Sequence, residues 1–195
     1  DAGDGAARRM EALNLPVGQI SAVFLTHYHA DHYADLGEVI DRSWSLGRHH
    51  TLPIYGPEGI DQIVAGYRMA YELETGYRTA HHGPEIMPPH YAEARAMTFS
   101  TDAGDGSTCV YAHDGVTVHA FAAHQPPIAP NVGYRIAHAD KVVVLSGDTV
   151  YTDTLVAQSA GADLLISDVM AMDAVAQIEE ANRTAGTDAT ARIMR

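Results

Sequence analysis

Hydrophobic positions in this chain fall into two patterns. Dense runs of β-branched and aromatic residues read as strands, and apolar positions three or four apart read as one face of a helix. Ala6 to Leu13 suits a short helix, which Pro16 and Gly18 end. Ile20 to Thr26 is a dense run and predicts a buried strand, and the polar loop His27 to His32 follows directly. Leu36, Val39, Ile40 and Trp44 share a helix face that Gly47 closes. Leu52 to Tyr55 predicts a second strand. Ile60, Ile63, Val64, Tyr67 and Tyr71 again have helical spacing. Residues 74–97 carry Gly76, Gly83, Pro84, Pro88 and Pro89 and no period, so they read as an irregular loop, with 59–97 as a candidate lid or insert.

In the second half, Thr108 to Ala112 and Val116 to Phe121 flank Asp114-Gly115, a hairpin signal. Val132, Tyr134 and Ile136 alternate as a strand, and Lys141 to Ser146 is a buried strand running into Gly147-Asp148-Thr149. A helix over 153–160, a strand over 162–167 and a helix over 172–185 complete the order. Hairpins followed by strand–helix–strand units predict an α/β layered fold in a single domain over 1–195. Both ends read as cut: no methionine precedes Asp1, and Thr187 to Arg195 reads as a helix just starting. A leader upstream of Asp1 would be invisible, so localisation is not legible, and neither is oligomeric state.

Composition narrows the function. The longest apolar runs, such as Val142–Leu145, are too short to cross a bilayer, so no membrane role is expected. The net charge is −13 and Lys141 is the only lysine. Nucleic-acid binding needs a basic stripe to displace counterions, so a nucleic-acid partner is not expected. The twelve histidines equal Lys plus Arg in number, and histidine is the commonest metal ligand. The lone cysteine, Cys109, excludes an internal disulfide and a Cys-based zinc site, and reads as a small buried hydrophobe.

The chemistry concentrates in Thr26-His27-Tyr28-His29-Ala30-Asp31-His32, where a buried strand meets a helix. His27 and His29, two apart, face the same way if the segment is extended. Asp31 and His32 follow the turn toward the helix and aim at a second nearby point. One short loop can therefore serve two metal ions about 3.5–4 Å apart.

This spacing resembles the signature of the metallo-β-lactamase superfamily. Asp1-Ala2-Gly3 resembles the family's early aspartate motif, which supports the metal loop; His124 resembles its third metal-binding histidine; and Ser146-Gly147-Asp148-Thr149 resembles the motif supplying a bridging aspartate. These elements stand in family order across nearly the whole chain. The resemblance implies an αββα sandwich of mixed β-sheets with outer helices. It implies that His27, His29 and His124 hold one divalent metal and that Asp31, His32 and Asp148 hold another, with Zn(II) favoured and Mn(II) or Fe(II) compatible. It also implies a hydrolase using a hydroxide generated at the metals, with Asp31 as the catalytic residue that orients water or shuttles its proton. The chain departs from the pattern in two places. No histidine follows His138 to complete the second site, and the family's strands before the aspartate motif are missing, as in a fragment.

The stretches His124-Gln125-Pro126-Pro127 and Gly133-Tyr134-Arg135-Ile136 resemble the ribonuclease Z, arylsulfatase and phosphodiesterase-like branch. That points to a phosphodiester or sulfate ester, and the acidic charge favours a small-molecule ester over RNA. A β-lactam or lactone substrate, and a non-catalytic metal-binding module, stay open. A redox di-iron site would carry Glu at the position of His29 and ranks low. Elsewhere, the histidine pairs His49-His50 and His81-His82, with His90, read as solvated loop residues. Arg78 reads as an ion pair with Glu72 or Glu74, Tyr67, Tyr71 and Tyr77 as helix packing, and Asp168 as a loop residue near the metal edge.

Overall fold

The computed structural model describes residues 1–101 and 106–187. The first half builds a parallel sheet of β1 (Val23–Phe24), β2 (Leu52–Gly56) and β3 (Ala94–Thr98). Helices α1 (Ala6–Ala12), α2 (Ala30–Tyr33), α3 (Leu36–Ser45), α4 (Ile60–Ala70), α5 (Glu72–His82) and α6 (Pro89–Ala92) connect and cover it. The second half builds a sheet in the order β4 (Thr108–His113), β5 (Val116–Ala122), β6 (Val132–His138), β7 (Lys141–Leu145) and β8 (Leu164–Ile166). Pairing there is antiparallel except between β7 and β8. Helix α7 (Asp153–Ser159) packs on β5 and β6, and α8 (Met172–Thr184) follows β8.

Two apolar layers explain the stacking. Leu36, Val39 and Ile40 of α3 and Ile60 and Val64 of α4 bury against Leu25, Leu52 and Ile54 of the first sheet. Val118, Ala120, Val132 and Tyr134 of the second sheet pack with Phe24 and Tyr111. The two sheets meet through aromatic rings. Phe24 stacks on Tyr55 at 4.8 Å and meets Tyr111 and Tyr134 edge-on, each at 5.7 Å. The Tyr134 hydroxyl donates to the Leu25 carbonyl (2.6 Å), crossing from one sheet to the other. Helices outside, with one parallel and one mixed sheet inside, make an αββα sandwich, the architecture the resemblance implies.

The structure corrects several expectations. Residues 74–97 are not an irregular loop: α5, α6 and β3 occupy most of them, so His81 and His82 are helical. No residue of α5 is buried. Arg78 instead anchors it, pairing with Glu74 one turn away and with the buried Asp41 (3.7 Å). Tyr67 and Tyr71 do pack against Gly37 of α3, but Tyr77 is exposed. Cys109 is exposed too, on the open face of β4, with its Sγ near the Tyr111 carbonyl (3.6 Å). The strand over 162–167 forms as β8, but its three residues are exposed. The helix expected at 187–195 lies, beyond Thr187, outside the described residues. Among the described residues no helix is long and apolar enough to cross a membrane.

Candidate metal centre

The loop after β1 is built from both sides. Leu25 N still donates to the Tyr55 carbonyl (2.8 Å), so the strand's pairing reaches the edge of the motif. Thr26 and His27 then turn inward and are buried. Helix α2 begins immediately, with Asp31 in its first turn. The segment Asp1-Ala2-Gly3 runs alongside. Asp1 N donates to the Phe24 carbonyl (2.7 Å), Ala2 N to the His32 carbonyl (2.8 Å), and Asp35 N to the Ala2 carbonyl (2.9 Å). A Cβ at Gly3 would lie 2.1 Å from the Asp31 carbonyl oxygen, so this close passage requires glycine.

The Asp1 carboxylate organises the ligands. Its Oδ1 accepts from Thr26 N (2.7 Å), and its Oδ2 accepts from Thr26 Oγ1 (2.9 Å) and from His32 Nδ1 (2.8 Å). A hydroxyl has one proton. With that proton given to Asp1, the Thr26 oxygen is left to accept from His27 Nδ1, 3.0 Å away. Both imidazoles are thereby fixed with Nδ1 protonated and the Nε2 lone pair facing the site, the usual role of a carboxylate or hydroxyl behind a metal-binding histidine. Burial, and then the neighbouring His32, pull the His27 pKa below its ordinary value, which keeps the ring neutral and able to ligate.

The facing wall comes from the end of β7. Gly147 turns the chain with φ +61°, and a Cβ there would lie 2.8 Å from the Val132 carbonyl oxygen. Asp148 then points at the histidines: Oδ1 is 3.3 Å from His32 Nε2 and Oδ2 is 3.9 Å from His27 Nε2. Gln125 Nε2 donates to Asp148 Oδ2 (3.0 Å), and Asn131 Nδ2 donates to the Asp148 carbonyl (2.6 Å). One ligand atom each from His27, His32 and Asp148 lie within 4.8 Å of one another. Two imidazoles and a carboxylate, converging and backed by hydrogen bonds, fit a divalent ion such as zinc.

The other expected ligands are distributed around this cluster. His29 Nδ1 lies 3.0 Å from His27 Nε2. Asp31 Oδ2 is 3.5 Å from His32 Nε2, and the carboxylate is 79% exposed. His124 enters through its backbone: His124 N donates to Thr149 Oγ1 (2.9 Å) and Val150 N donates to the His124 carbonyl (2.9 Å). Its ring makes no hydrogen bond or ion pair among the described residues. The triad draws on both ligand sets implied by the resemblance, joining His27 with His32 and Asp148. Asp168 reaches this edge by backbone alone, donating from its N to Ser146 Oγ (3.1 Å). Thr26, Gln125 and Asn131 hold the ligands but carry no periodic signal in the sequence; the only hint is their position at strand ends beside candidate ligands.

The model of the beta-lactamase superfamily domain matches residues 1–193. The chain belongs to this superfamily. Among its relatives, the ribonuclease Z of Mycobacterium sp. (strain KMS) is 37% identical over 177 residues, covering 90% of this chain and 59% of that protein. The ribonuclease Z of Mycobacterium bovis (strain BCG / Pasteur 1173P2) is 37% identical over 183 residues, covering 92% of this chain and 62% of that protein. The chain thus spans roughly three fifths of the length of these relatives. Human tRNase Z, short form, superposes with a TM-score of 0.60 at 22% identity, over 85% of this chain and 63% of that one. The metallo-beta-lactamase fold protein YhfI from Bacillus subtilis gives 0.59 at 23% identity, over 86% and 57%. These two share the fold. The superfamily and its ribonuclease Z-like branch agree with the motif reading.

One expectation is overturned. Net charge argued against a nucleic-acid partner, yet the relatives matched at 37% are named ribonucleases. The physical reason is scale. A net charge of −13 sums the whole surface, whereas phosphate binding depends on the local field, to which a cation held by such ligands would add positive charge at the reacting phosphate itself.

Proposed function

We propose that this protein is a metal-dependent hydrolase that cleaves phosphodiester bonds in RNA. One observation carries the reading: His27 Nε2, His32 Nε2 and an Asp148 oxygen converge in a chain 37% identical to proteins named ribonuclease Z. We further propose that His29, Asp31 and His124 complete a two-ion centre around this triad, with Zn(II) the preferred ion. Divalent ions bound there supply Lewis acidity and a water acidic enough to lose its proton near neutral pH.

The chain's own groups do the rest. Asp1 and Thr26 hold the two imidazoles in one tautomer, so the ligand lone pairs need no reorganisation on binding. Asp148, held by Gln125, supplies the anionic ligand between the histidines. Asp31 is the exposed carboxylate beside His32, placed to orient the attacking water and take its proton, which can then pass to the leaving oxygen. The water oxygen bonds to phosphorus as its proton moves to an Asp31 oxygen, the P–O bond to the leaving group breaks, and Asp31 returns that proton to the leaving alkoxide.

The test is cleavage of a transfer RNA transcript and of bis(p-nitrophenyl) phosphate, before and after chelation. Chelation abolishes turnover and zinc restores it. His27→Ala lowers kcat/KM by at least about 1,000-fold. Cleavage that survives chelation, or that His27→Ala leaves intact, contradicts the proposal.

A further inference from the structure

Asp148 is the only acid in the converging triad, and a carboxylate turns easily about its terminal torsion. Something must fix which oxygen faces which histidine. We infer that Gln125 is a positioning residue for Asp148, working with Asn131 as a two-amide clamp that sets the affinity of the metal centre. This rests on the metal reading proposed above.

The geometry supports the clamp at both ends of Asp148. Gln125 Nε2 donates to Oδ2 (3.0 Å), leaving Oδ1 toward His32 Nε2 (3.3 Å). Asn131 Nδ2 donates to the main-chain carbonyl of the same residue (2.6 Å). The strap that bears both amides is stitched down beside it. Ala123 N donates to the Asn131 carbonyl (3.0 Å), Ile128 N to the Gln125 carbonyl (2.7 Å), and Val150 N to the His124 carbonyl (2.9 Å).

Two further observations point to function rather than packing. Gln125 Oε1 and Asn131 Oδ1 are both buried with no hydrogen-bond partner among the described residues. Turning either amide would bring an oxygen against an oxygen of Asp148, so each group leaves its acceptor unpaired to keep its donor on Asp148. Buried polar atoms are normally satisfied, and two exceptions beside one ligand mark a site where orientation outweighs satisfaction. The choice of an amide also matters. A lysine or arginine would neutralise the carboxylate and compete with a cation, whereas a neutral donor directs one oxygen and leaves the charge in place.

The experiment measures zinc affinity by competition with a chromophoric chelator, and the thermal midpoint of the metal-free protein. Gln125→Met keeps the side chain's length and removes its donor. It weakens zinc binding about 10–100-fold, the range for lost outer partners of a metal ligand, and moves the metal-free midpoint by less than about 2 °C. Gln125→Glu places a second carboxylate against Asp148 and weakens binding further. Gln125→Asn keeps the amide but shortens its reach, and behaves like Gln125→Met should that variant fold poorly. Asn131→Ala, which releases the backbone, lowers both affinity and midpoint. Zinc binding by Gln125→Met within about twofold of the wild type overturns the clamp, as does a loss of affinity in Gln125→Met that is matched by a loss of its own metal-free stability. A wild type that binds no zinc overturns the metal reading itself, an outcome distinct from a wild type and variant that bind equally.

Discussion

Asp1 stands behind both histidines of this centre. It bonds both the Thr26 hydroxyl and His32 Nδ1, and through Thr26 it fixes the tautomer of His27. Asp1→Ala is therefore expected to weaken zinc binding about 10–100-fold, and Thr26→Val, which disturbs only the His27 branch, by less. Isothermal titration with zinc distinguishes them, and equal effects would contradict the relay. At this scale the sequence is informative about ligands and, Asp1 apart, silent about their holders. His27, His29, Asp31 and His32 are visible because ligand types crowd one strand end. Thr26, Gln125 and Asn131 are single common residues whose role exists only once distant segments are folded together. His124 was legible as a strand-end histidine, but the structure fixes its backbone and leaves its ring unbonded among the described residues.

Elements with a buried apolar face were legible; of those without a buried residue, α7, α8 and β8 were still legible and α5 was not. Helices α3 and α4 and the β4–β5 hairpin appear where spacing and Asp114-Gly115 predict them, because burial drives their pattern. Helix α5 was missed because ion pairs and the bond from Thr79 Oγ1 to the Met87 carbonyl (3.1 Å) hold it instead. The contact between sheets was also beyond a reading by segments. Tyr134 shows only as an alternating strand residue, yet its hydroxyl bonds the Leu25 carbonyl two residues before His27. Tyr134→Phe leaves that carbonyl unpaired and costs about 1–3 kcal/mol in urea unfolding. Burial lifts the Tyr134 pKa well above its ordinary value. The folded chain thus keeps a proton that the unfolded chain releases near pH 10, so stability is intact below about pH 10 and falls as pH rises beyond it. Midpoints measured from pH 8 to 11 should fall more steeply for the wild type than for Tyr134→Phe; parallel curves would contradict this.

For the whole molecule, fold and chemistry were legible together because the motifs stand in order along one chain. Layering alone gave α/β; the αββα arrangement came with the resemblance and is what the two sheets and their outer helices form. Net charge misled because it averages over the whole surface, whereas phosphate binding depends on the local field at one site. The central claim is that this fold brings His27, His32 and Asp148 together to hold a divalent ion. The most direct test is elemental analysis of the protein loaded with zinc and dialysed without chelator, beside Asp148→Ala and His27→Ala. At least one tightly held ion per wild-type chain is expected, with a clear loss in both variants. A wild type that retains no metal, or variants that retain as much, would contradict it.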